Sequence, residues 1–454
     1  MIAVIAVFDI GKTNKKFFLF NEQYEIIFES TQQFNETVDE DGDACDNVQL
    51  LSSWVVNTLA ETIAAAKFDI KAVNFSTYGA SFVHINKEGE PITPLYNYLK
   101  PFPENLKQSF YQQYGTEASM ALETASPTLG NLNSGMQLYW LQQIKPAVFN
   151  QVAYSLHLPQ YISYLITKKA YSDITSIGCH TQLWNFQQQL YHSWVNKTKI
   201  IEKLAELFPS DATITAVFNH KQLEVGIGLH DSSAALIPYL ASFNEPFILI
   251  STGTWCISLN PFNKDPLTAE ELQEDCLCYM AYKGNPVKAS RLFSGYEHEQ
   301  QTKRLAQHFG TASDYYKQVN YNEHIITNYE GLENYADDIS TFESNNLTQY
   351  ATYEEAYHHF IFHLIVQQKK STSLVLGSKS VSRLFVDGGF GKNKVFMHML
   401  ANVFPTIQVY AASVAQATAL GAAIAIHASW NKQALPNNLI QLKQFNTTNI
   451  NVGT

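Results

Sequence analysis

Basic residues are scarce in this sequence and nowhere gather into a block. Lys and Arg number 30 against 41 Asp and Glu, for a formal net charge of −11. A chain with that balance repels polyanions, which excludes nucleic acid and anionic membrane surfaces as natural partners. Cysteine is sparse too: the 5 residues Cys45, Cys179, Cys256, Cys276 and Cys278 are odd in number and scattered. Cys276-Leu277-Cys278 is too tightly spaced for the usual two-residue zinc arrangement, so reduced cysteines in a cytoplasmic protein are expected. Long apolar runs are missing, and none approaches the ~20 residues of a membrane span. The apolar start, residues 1–8, lacks both a basic flank and a small-residue cleavage site, so it reads as a strand and not as a signal peptide. No low-complexity linker interrupts the chain, which points to halves sharing an interface and a cleft.

What is present can build real cores. The 454 residues are 46% hydrophobic and 13% aromatic. Single cores stop growing near ~250–300 residues, so two domains are expected, residues 1–243 and 244–454. Residues 2–34 read as a hairpin plus a further strand, 48–67 as a helix, and 72–85 as strand, glycine turn, strand. Residues 100–170 read as mostly helical, 205–211 as the end of a helix, and 226–240 as a glycine turn running into a helix. The segment EPFILISTGTWCISLN (245–260) repeats the opening pattern of apolar strand, small polar turn, apolar strand, which implies an internal duplication. Residues 265–375 read as helix-rich with acidic loops, 382–404 as strand, glycine turn, helix, 407–412 as a strand and 417–430 as a helix. The tail from Lys432 reads as polar and peripheral.

Four short segments carry candidate chemistry. In VIAVFDIGKTNKKFFLFN a buried strand delivers Asp9 into a turn holding Gly11, Lys12, Thr13 and Asn14. Successive backbone N–H groups in such a turn converge on one concavity that suits a phosphate. Asp9 suits Mg²⁺, which prefers oxygen ligands and keeps part of its water. Read alone, the stretch is equally a decorated hairpin. The turn Ser251–Thr254 offers the same hydroxyls and N–H groups half a chain later. In DGGFGKN, Asp387–Asn393, glycines allow a ligand close approach to backbone. That stretch lacks both the dinucleotide fingerprint and the Walker ending, and read alone it is also an ordinary strand–helix turn. In GLHDSSAAL, Asp231 stands where a helix begins, as an N-cap or as a general base for a substrate hydroxyl. His230 beside it is a substrate hydrogen-bonding group or merely a half-buried polar residue.

In this order the four segments resemble the FGGY family of carbohydrate kinases, of the hexokinase–actin superfamily. Asp9-Ile10-Gly11-Lys12-Thr13 resembles the family's D-x-G-(T/A/S)-(T/S) opening, and STGTWCISL its second phosphate loop. Gly388-Gly389-Phe390-Gly391-Lys392-Asn393 is similar to its adenosine segment, and Gly228-Leu229-His230-Asp231 through Ala235 to its catalytic segment. FSTYGASFVHINKEGEPITPLYNY, LPQYISYLITKKAYSDITSIGCHTQLWN and ATALGAA resemble further family stretches, so the likeness runs from residue 4 to about residue 426.

The resemblance implies an α/β fold of two ribonuclease H-like domains with a cleft between them. It implies that the protein is a kinase using ATP and Mg²⁺ on a small-molecule sugar. Phosphates would be held by Gly11, Lys12, Thr13 and Asn14 and by Thr252, Gly253 and Thr254, with Mg²⁺ at Asp9 and adenosine on Gly388, Gly389 and Asn393. The sugar would lie among Thr77, Tyr78, Gly79, Asn97, His230, Asp231 and Ser232, with Asp231 accepting the proton of its primary hydroxyl. Three departures stand out. Lys12 replaces a small residue and is expected to add a cation at the phosphates. Gln416 replaces a glutamate. Asn97-Tyr98-Leu99-Lys100-Pro101 replaces the Y-R-D-x-R of rhamnulose kinases. The motifs lean toward deoxy-ketohexoses such as L-rhamnulose or L-fuculose, with xylulose, ribulose and gluconate left open. A sugar-independent actin-like ATPase and a non-catalytic sugar sensor are the rival readings. A homodimer is the working expectation, with no sequence signal behind it.

Overall fold

The computed structural model describes residues 1–326, 342 and 346–447. In the N-terminal half, β1 (Ile2–Ile10), β2 (Asn14–Asn21) and β3 (Ile26–Gln33) form an antiparallel meander. β4 (Phe68–Thr77) lies parallel to β1 on its other side. β5 (Thr213–Phe218) and β6 (Lys221–Gly226) complete the order β5-β6-β4-β1-β2-β3, and Leu229–His230 pairs with the end of β4. The period of two explains why β1 reads as one continuous apolar run. Val4, Ala6, Phe8 and Ile10 pack toward Val48, Leu51, Val55 and Leu59 of α1 (Val48–Ala64). Ile5 and Val7 face the opposite way, into a core shared with the other half.

That shared core is built around α2 (Asp231–Ser242). The second half repeats the plan of the first. β7 (Phe247–Thr252) pairs antiparallel with β8 (Cys256–Asn260), followed by β10 (Pro286–Leu292) and the edge strand β9 (Cys276–Met280). β11 (Arg383–Gly388) and β12 (Gln408–Ser413) extend the sheet parallel to β7, and β13 (Gln441–Phe445) closes it in the order β9-β10-β8-β7-β11-β12-β13. In both halves a strand–hairpin–strand unit is followed by parallel strands on the far side of the first strand, as the inferred duplication requires. The α/β expectation is met. α3 (Ser294–Phe309), α4 (Tyr353–Leu376) and α5 (Lys394–Val403) cover the outer face of the second sheet. Its inner face, with Leu249, Leu259 and Phe385, joins Ile5 and Val7 across α2 and α6 (Ala417–Ala425). The two sheets thus sandwich one helix pair.

α2 and α6 touch at backbone distance. A Cβ on Gly421 would sit 1.8 Å from the carbonyl oxygen of Ala234. That carbonyl lacks its usual intrahelical donor because residue 238, four positions on, is proline. Glycine at 421 is what lets the second helix approach this bare carbonyl.

Three expectations fail. Residues 205–211 are irregular beyond a single parallel bridge between Ser172 and Leu207; the nearest helical turn is Ile200–Lys203. The 265–375 region carries two strands, β9 and β10, hidden from the sequence because the five residues of β9 are all buried and show no alternation. The tail is not merely peripheral, since β13 pairs with β12. Part of the 265–375 reading falls on residues 327–341 and 343–345, outside the described ones. No helix among the described residues is long and apolar enough to cross a membrane.

Candidate active site

Asp9 is the penultimate residue of β1, opposite Lys16 across the hairpin and Ser76 on β4. Its Oδ2 accepts from Thr418 Oγ1 of α6 at 2.7 Å. Burial, and then the nearby Asp231 carboxylate, raise its pKa to about 6. Asp231 is not the N-cap of α2: that position belongs to His230, and Asp231 is the first helical residue. Its Oδ1 accepts from the Ser232 N–H at 2.6 Å and Ser232 Oγ at 3.3 Å. Its side chain keeps 35% of its surface exposed, yet loss of solvent in the cleft raises its pKa to about 6. Two carboxylates from distant parts of the chain thus lie within electrostatic reach of one another, with similar acidities.

His230 is buried, and its backbone N–H donates to Thr175 Oγ1. Its Nε2 lies 3.3 Å from Asp231 Oδ1 and 3.3 Å from Cys179 Sγ, while buried Nδ1 has no partner. Burial lowers its pKa to about 4, so the ring is neutral near pH 7. Gly79 packs flat against it; a Cβ there would lie 2.6 Å from His230 Cδ2.

The first turn is closed by Gly11 N–H donating to Asn14 O at 2.9 Å. Lys12 corrects an expectation. Its ammonium does not stand free to add a cation at the phosphates: it contacts Asp46 Oδ2 at 2.7 Å and Glu36 Oε1 at 3.1 Å. Buried Lys15 donates to the Lys12 carbonyl at 2.7 Å, which fixes the turn from beneath. Asn14 Oδ1 is engaged by Gln33 Nε2 on β3, leaving Thr13 as the exposed hydroxyl of the turn. Tyr78 donates its hydroxyl to Asp46 at 2.6 Å, and Thr77 Oγ1 donates to the Tyr78 carbonyl. Asn97 Oδ1 accepts the Leu99 N–H within its own turn. Gln416, in a left-handed conformation, accepts from Lys16 Nζ at 3.0 Å, so the amide keeps a bond there.

In the second half, Gly253 N–H donates to the Trp255 carbonyl, closing the β7–β8 turn. Thr252 Oγ1 donates to the Asp387 carbonyl at 2.6 Å and accepts the Phe390 N–H, binding this turn to the β11–α5 turn. Gly388 has φ +91°, and a Cβ on it would lie 2.0 Å from Thr252 O. A cavity of about 750 Å³ opens beside this junction, lined by Thr252, Gly253, Gly389 and Asn393 together with Gly295 and His298. Asn393 caps α5 and donates to Tyr357 Oη at 2.7 Å.

Several residues of this cleft carry no readable sequence signal. Thr418 belongs to the ATALG stretch, but nothing there announces its bond to Asp9. Tyr98 is half-buried close enough to Asp231 and Lys12 for their charges to act on its phenol. His180 and Tyr279 form a ring cluster with the sequence-predicted His230, centroids 6.0–6.4 Å apart. Among the described residues no three His, Cys, Asp or Glu side chains gather closely enough to cage a metal alone.

The family model described as the FGGY family of carbohydrate kinases, N-terminal domain, matches residues 4–237. The one described as carbohydrate kinase FGGY, C-terminal domain, matches residues 244–434. The chain belongs to the FGGY family. It is similar to the rhamnulokinase of Mannheimia succiniciproducens, 24% identical over 270 residues, covering 56% of this chain and 52% of that protein. It is 22% identical over 267 residues to the rhamnulokinase of Halalkalibacterium halodurans, covering 55% and 54%. The chain thus spans about half the length of the curated relatives it matches. Among solved structures, a carbohydrate kinase from Novosphingobium aromaticivorans aligns with TM-score 0.78 at 22% identity, over 98% of this chain and 94% of that one. A xylulose kinase from Rhodospirillum rubrum aligns with TM-score 0.80 at 14% identity over the same shares, 98% and 94%. These likenesses show that the FGGY fold extends over both halves.

Proposed function

We propose that this FGGY protein transfers the γ-phosphoryl group of MgATP to the primary hydroxyl of a small sugar, a deoxy-ketohexose such as L-rhamnulose or L-fuculose. The observation that carries this is that Asp9 and Asp231, each with a pKa of about 6, lie within electrostatic reach of one another, while a glycine-lined cavity of the other half opens beside the second phosphate turn. Asp231 accepts the proton of the attacking hydroxyl; a base of this pKa is ionised at pH 7 and still basic enough to help. The backbone N–H groups of the turns at Gly11–Thr13 and Thr252–Thr254 hold the phosphates from both halves. Gly388, Gly389 and Asn393 shape the adenosine end. Thr77, Gly79, Asn97, His230 and Ser232 orient the sugar. Tyr78, its hydroxyl given to Asp46, contributes only its ring. Asp9 is the residue fit to hold Mg²⁺, a hard oxygen donor within electrostatic reach of a second carboxylate, and the ion would neutralise charge on the phosphate oxygens. The rhamnulokinase relatives support the deoxy-ketohexose acceptor, and the five buried free cysteines support a cytoplasmic location.

The test is ADP release with MgATP against a panel of ketoses, polyols and aldonates. Rapid release with one deoxy-ketohexose supports the reading. Release with xylulose, ribulose or gluconate alone moves the substrate, and release without any sugar makes the protein an ATPase.

Two outcomes belong to this mechanism. A raised pKa keeps a carboxyl protonated to higher pH, so the base is present above about pH 6 and lost as pH falls through it. The profile of kcat/KM should fall below about pH 6, steeper than one proton if Asp9 titrates with Asp231; a flat acid limb down to about pH 5 would contradict it. Gly79→Ala should push the His230 ring away from Asp231 and lower kcat by up to about 100-fold. Steady-state kinetics at saturating sugar, with the thermal midpoint as control, check this.

A further inference from the structure

The first phosphate turn and the Thr77–Gly79 end of β4 are joined by one buried carboxylate that the mechanism above leaves without a role. Asp46 ends the short strand Ala44–Asp46 and is 8% exposed. Its Oδ2 accepts from Lys12 Nζ at 2.7 Å and from the Tyr78 hydroxyl at 2.6 Å. Its Oδ1 faces buried Lys15, with Nζ 3.8 Å away. Lys12 lies between Gly11 and Thr13, and Tyr78 between Thr77 and Gly79. One carboxylate therefore holds a side chain from the loop proposed for phosphate and another from the loop proposed for sugar. The two loops also touch directly. Tyr78 N–H donates to Ile10 O at 3.0 Å, and Lys12 Nζ stands 5.6 Å from the Tyr78 ring centre. Burial opposes the Lys12 charge, but Asp46 and then Glu36 outweigh it and raise its pKa. Burial, and then the Asp46 charge, push the Tyr78 phenol well above its ordinary value. Both groups stay donors to Asp46 at neutral pH.

The mounting of Asp46 reaches a further sugar segment. Its strand pairs antiparallel with Leu95–Tyr96, Asp46 opposite Leu95 and Cys45 opposite Tyr96, immediately before Asn97. The Asn97 carbonyl accepts the Lys100 N–H at 3.0 Å. Lys100 belongs to the segment that departs from the rhamnulose-kinase pattern. It is buried, and its ammonium is held by Asp39 at 2.6 Å, Asp43 at 2.7 Å and Asp41 at 2.9 Å. Residues 39–46 are thus fastened at one end to the Asn97 turn and at the other to Lys12 and Tyr78. A buried ion-paired node adds little net stability over an apolar one, but it fixes one arrangement of the groups it joins. A ligand that orders such a node lowers the ordering cost left for the next ligand.

We infer that Asp46 is a positioning residue that couples the two substrate loops, so that the acceptor sugar and MgATP each tighten the binding of the other. This rests on the sugar-kinase reading. Asp46 acts through Lys12 and Tyr78 and takes no part in proton transfer. The coupling is reciprocal, as linkage between two binding equilibria requires.

Calorimetric titration of the full chain measures affinity for the acceptor that wild type uses best, with and without the β,γ-imido analogue of MgATP. Wild type should bind the sugar about fivefold or more tighter with the analogue present. Tyr78→Phe deletes the hydroxyl that Asp46 holds, and Lys12→Met deletes the ammonium. Each should bring the ratio of the two sugar affinities to within about twofold of one. Asp46→Asn keeps a carbonyl acceptor for both donors and should retain more of the ratio than Asp46→Ala. A merely structural role would lower the thermal midpoint and both affinities and leave the ratio alone. A ratio near one in wild type, or an undiminished ratio in both Tyr78→Phe and Lys12→Met, would overturn the assignment. If Asp46→Ala does not fold, those two variants decide it. Sugar-dependent ADP release with an undiminished ratio in them sinks this inference alone. No sugar-dependent release in wild type sinks the kinase reading, and this inference with it.

Discussion

Asp231→Asn is expected to lower kcat by about 10²–10⁴-fold, the usual contribution of a positioned general base, while MgATP and the sugar still bind. The geometry makes this substitution clean. The Ser232 N–H that now donates to Asp231 Oδ1 at 2.6 Å can donate to the asparagine carbonyl oxygen instead, so the first turn of α2 stays formed. His230 stays neutral, because burial holds it so. Only the proton acceptor disappears. The carboxylate of Asp231 also raises the Asp9 pKa, so its removal should let Asp9 ionise at lower pH and leave MgATP affinity equal or better. Calorimetric titration with each substrate, beside single-turnover rates, separates these effects. Retained turnover would reduce Asp231 to a helix-terminus residue.

Gly421→Ala is expected to be among the most damaging single methyls in the protein. It adds a Cβ 1.8 Å from Ala234 O and 2.6 Å from Ala234 C. The flexible end of a side chain could move aside, but here the obstacle is backbone of a helix held between two sheets. α2 and α6 must separate, at a cost of about 1–3 kcal/mol or more. At about 2–4 °C per kcal/mol for domains of this size, the midpoint should fall by several degrees. The functional cost is larger than the stability cost implies. Asp231 begins α2, and Thr418, which holds Asp9, lies one turn before Gly421 on α6. Spreading the helices therefore moves the two carboxylates relative to one another. Calorimetry and kcat measured on the same sample check both parts; an unchanged midpoint would contradict the packing argument.

Local pattern made much of this molecule legible. β1 buries both faces and β2 follows a tight turn, so the hairpin that presents Asp9 shows as two apolar runs around Gly11. The same pattern at Phe247–Asn260 exposes the duplication. What escaped the sequence is what depends on partners far along the chain. Lys12 looked like a phosphate ligand because its neighbours Gly11 and Thr13 do, but Asp46, 34 residues on, claims its ammonium. The bond from Thr418 to Asp9 spans 409 residues, and no periodicity encodes it. β9 stayed hidden because all five of its residues are buried, so it shows no alternation. The Trp255 ring, on a turn, meets Phe293 at a helix start, a contact that only the fold makes.

The central claim is that the phosphoryl group goes to a sugar hydroxyl and not to water. Phosphorus NMR of a complete reaction, with MgATP and the acceptor that wild type uses best, tests it most directly. The account predicts one phosphomonoester signal, coupled to the two protons of a primary carbon, for each ADP formed, with inorganic phosphate a minor product. Inorganic phosphate equal to ADP, with no ester signal, would contradict it.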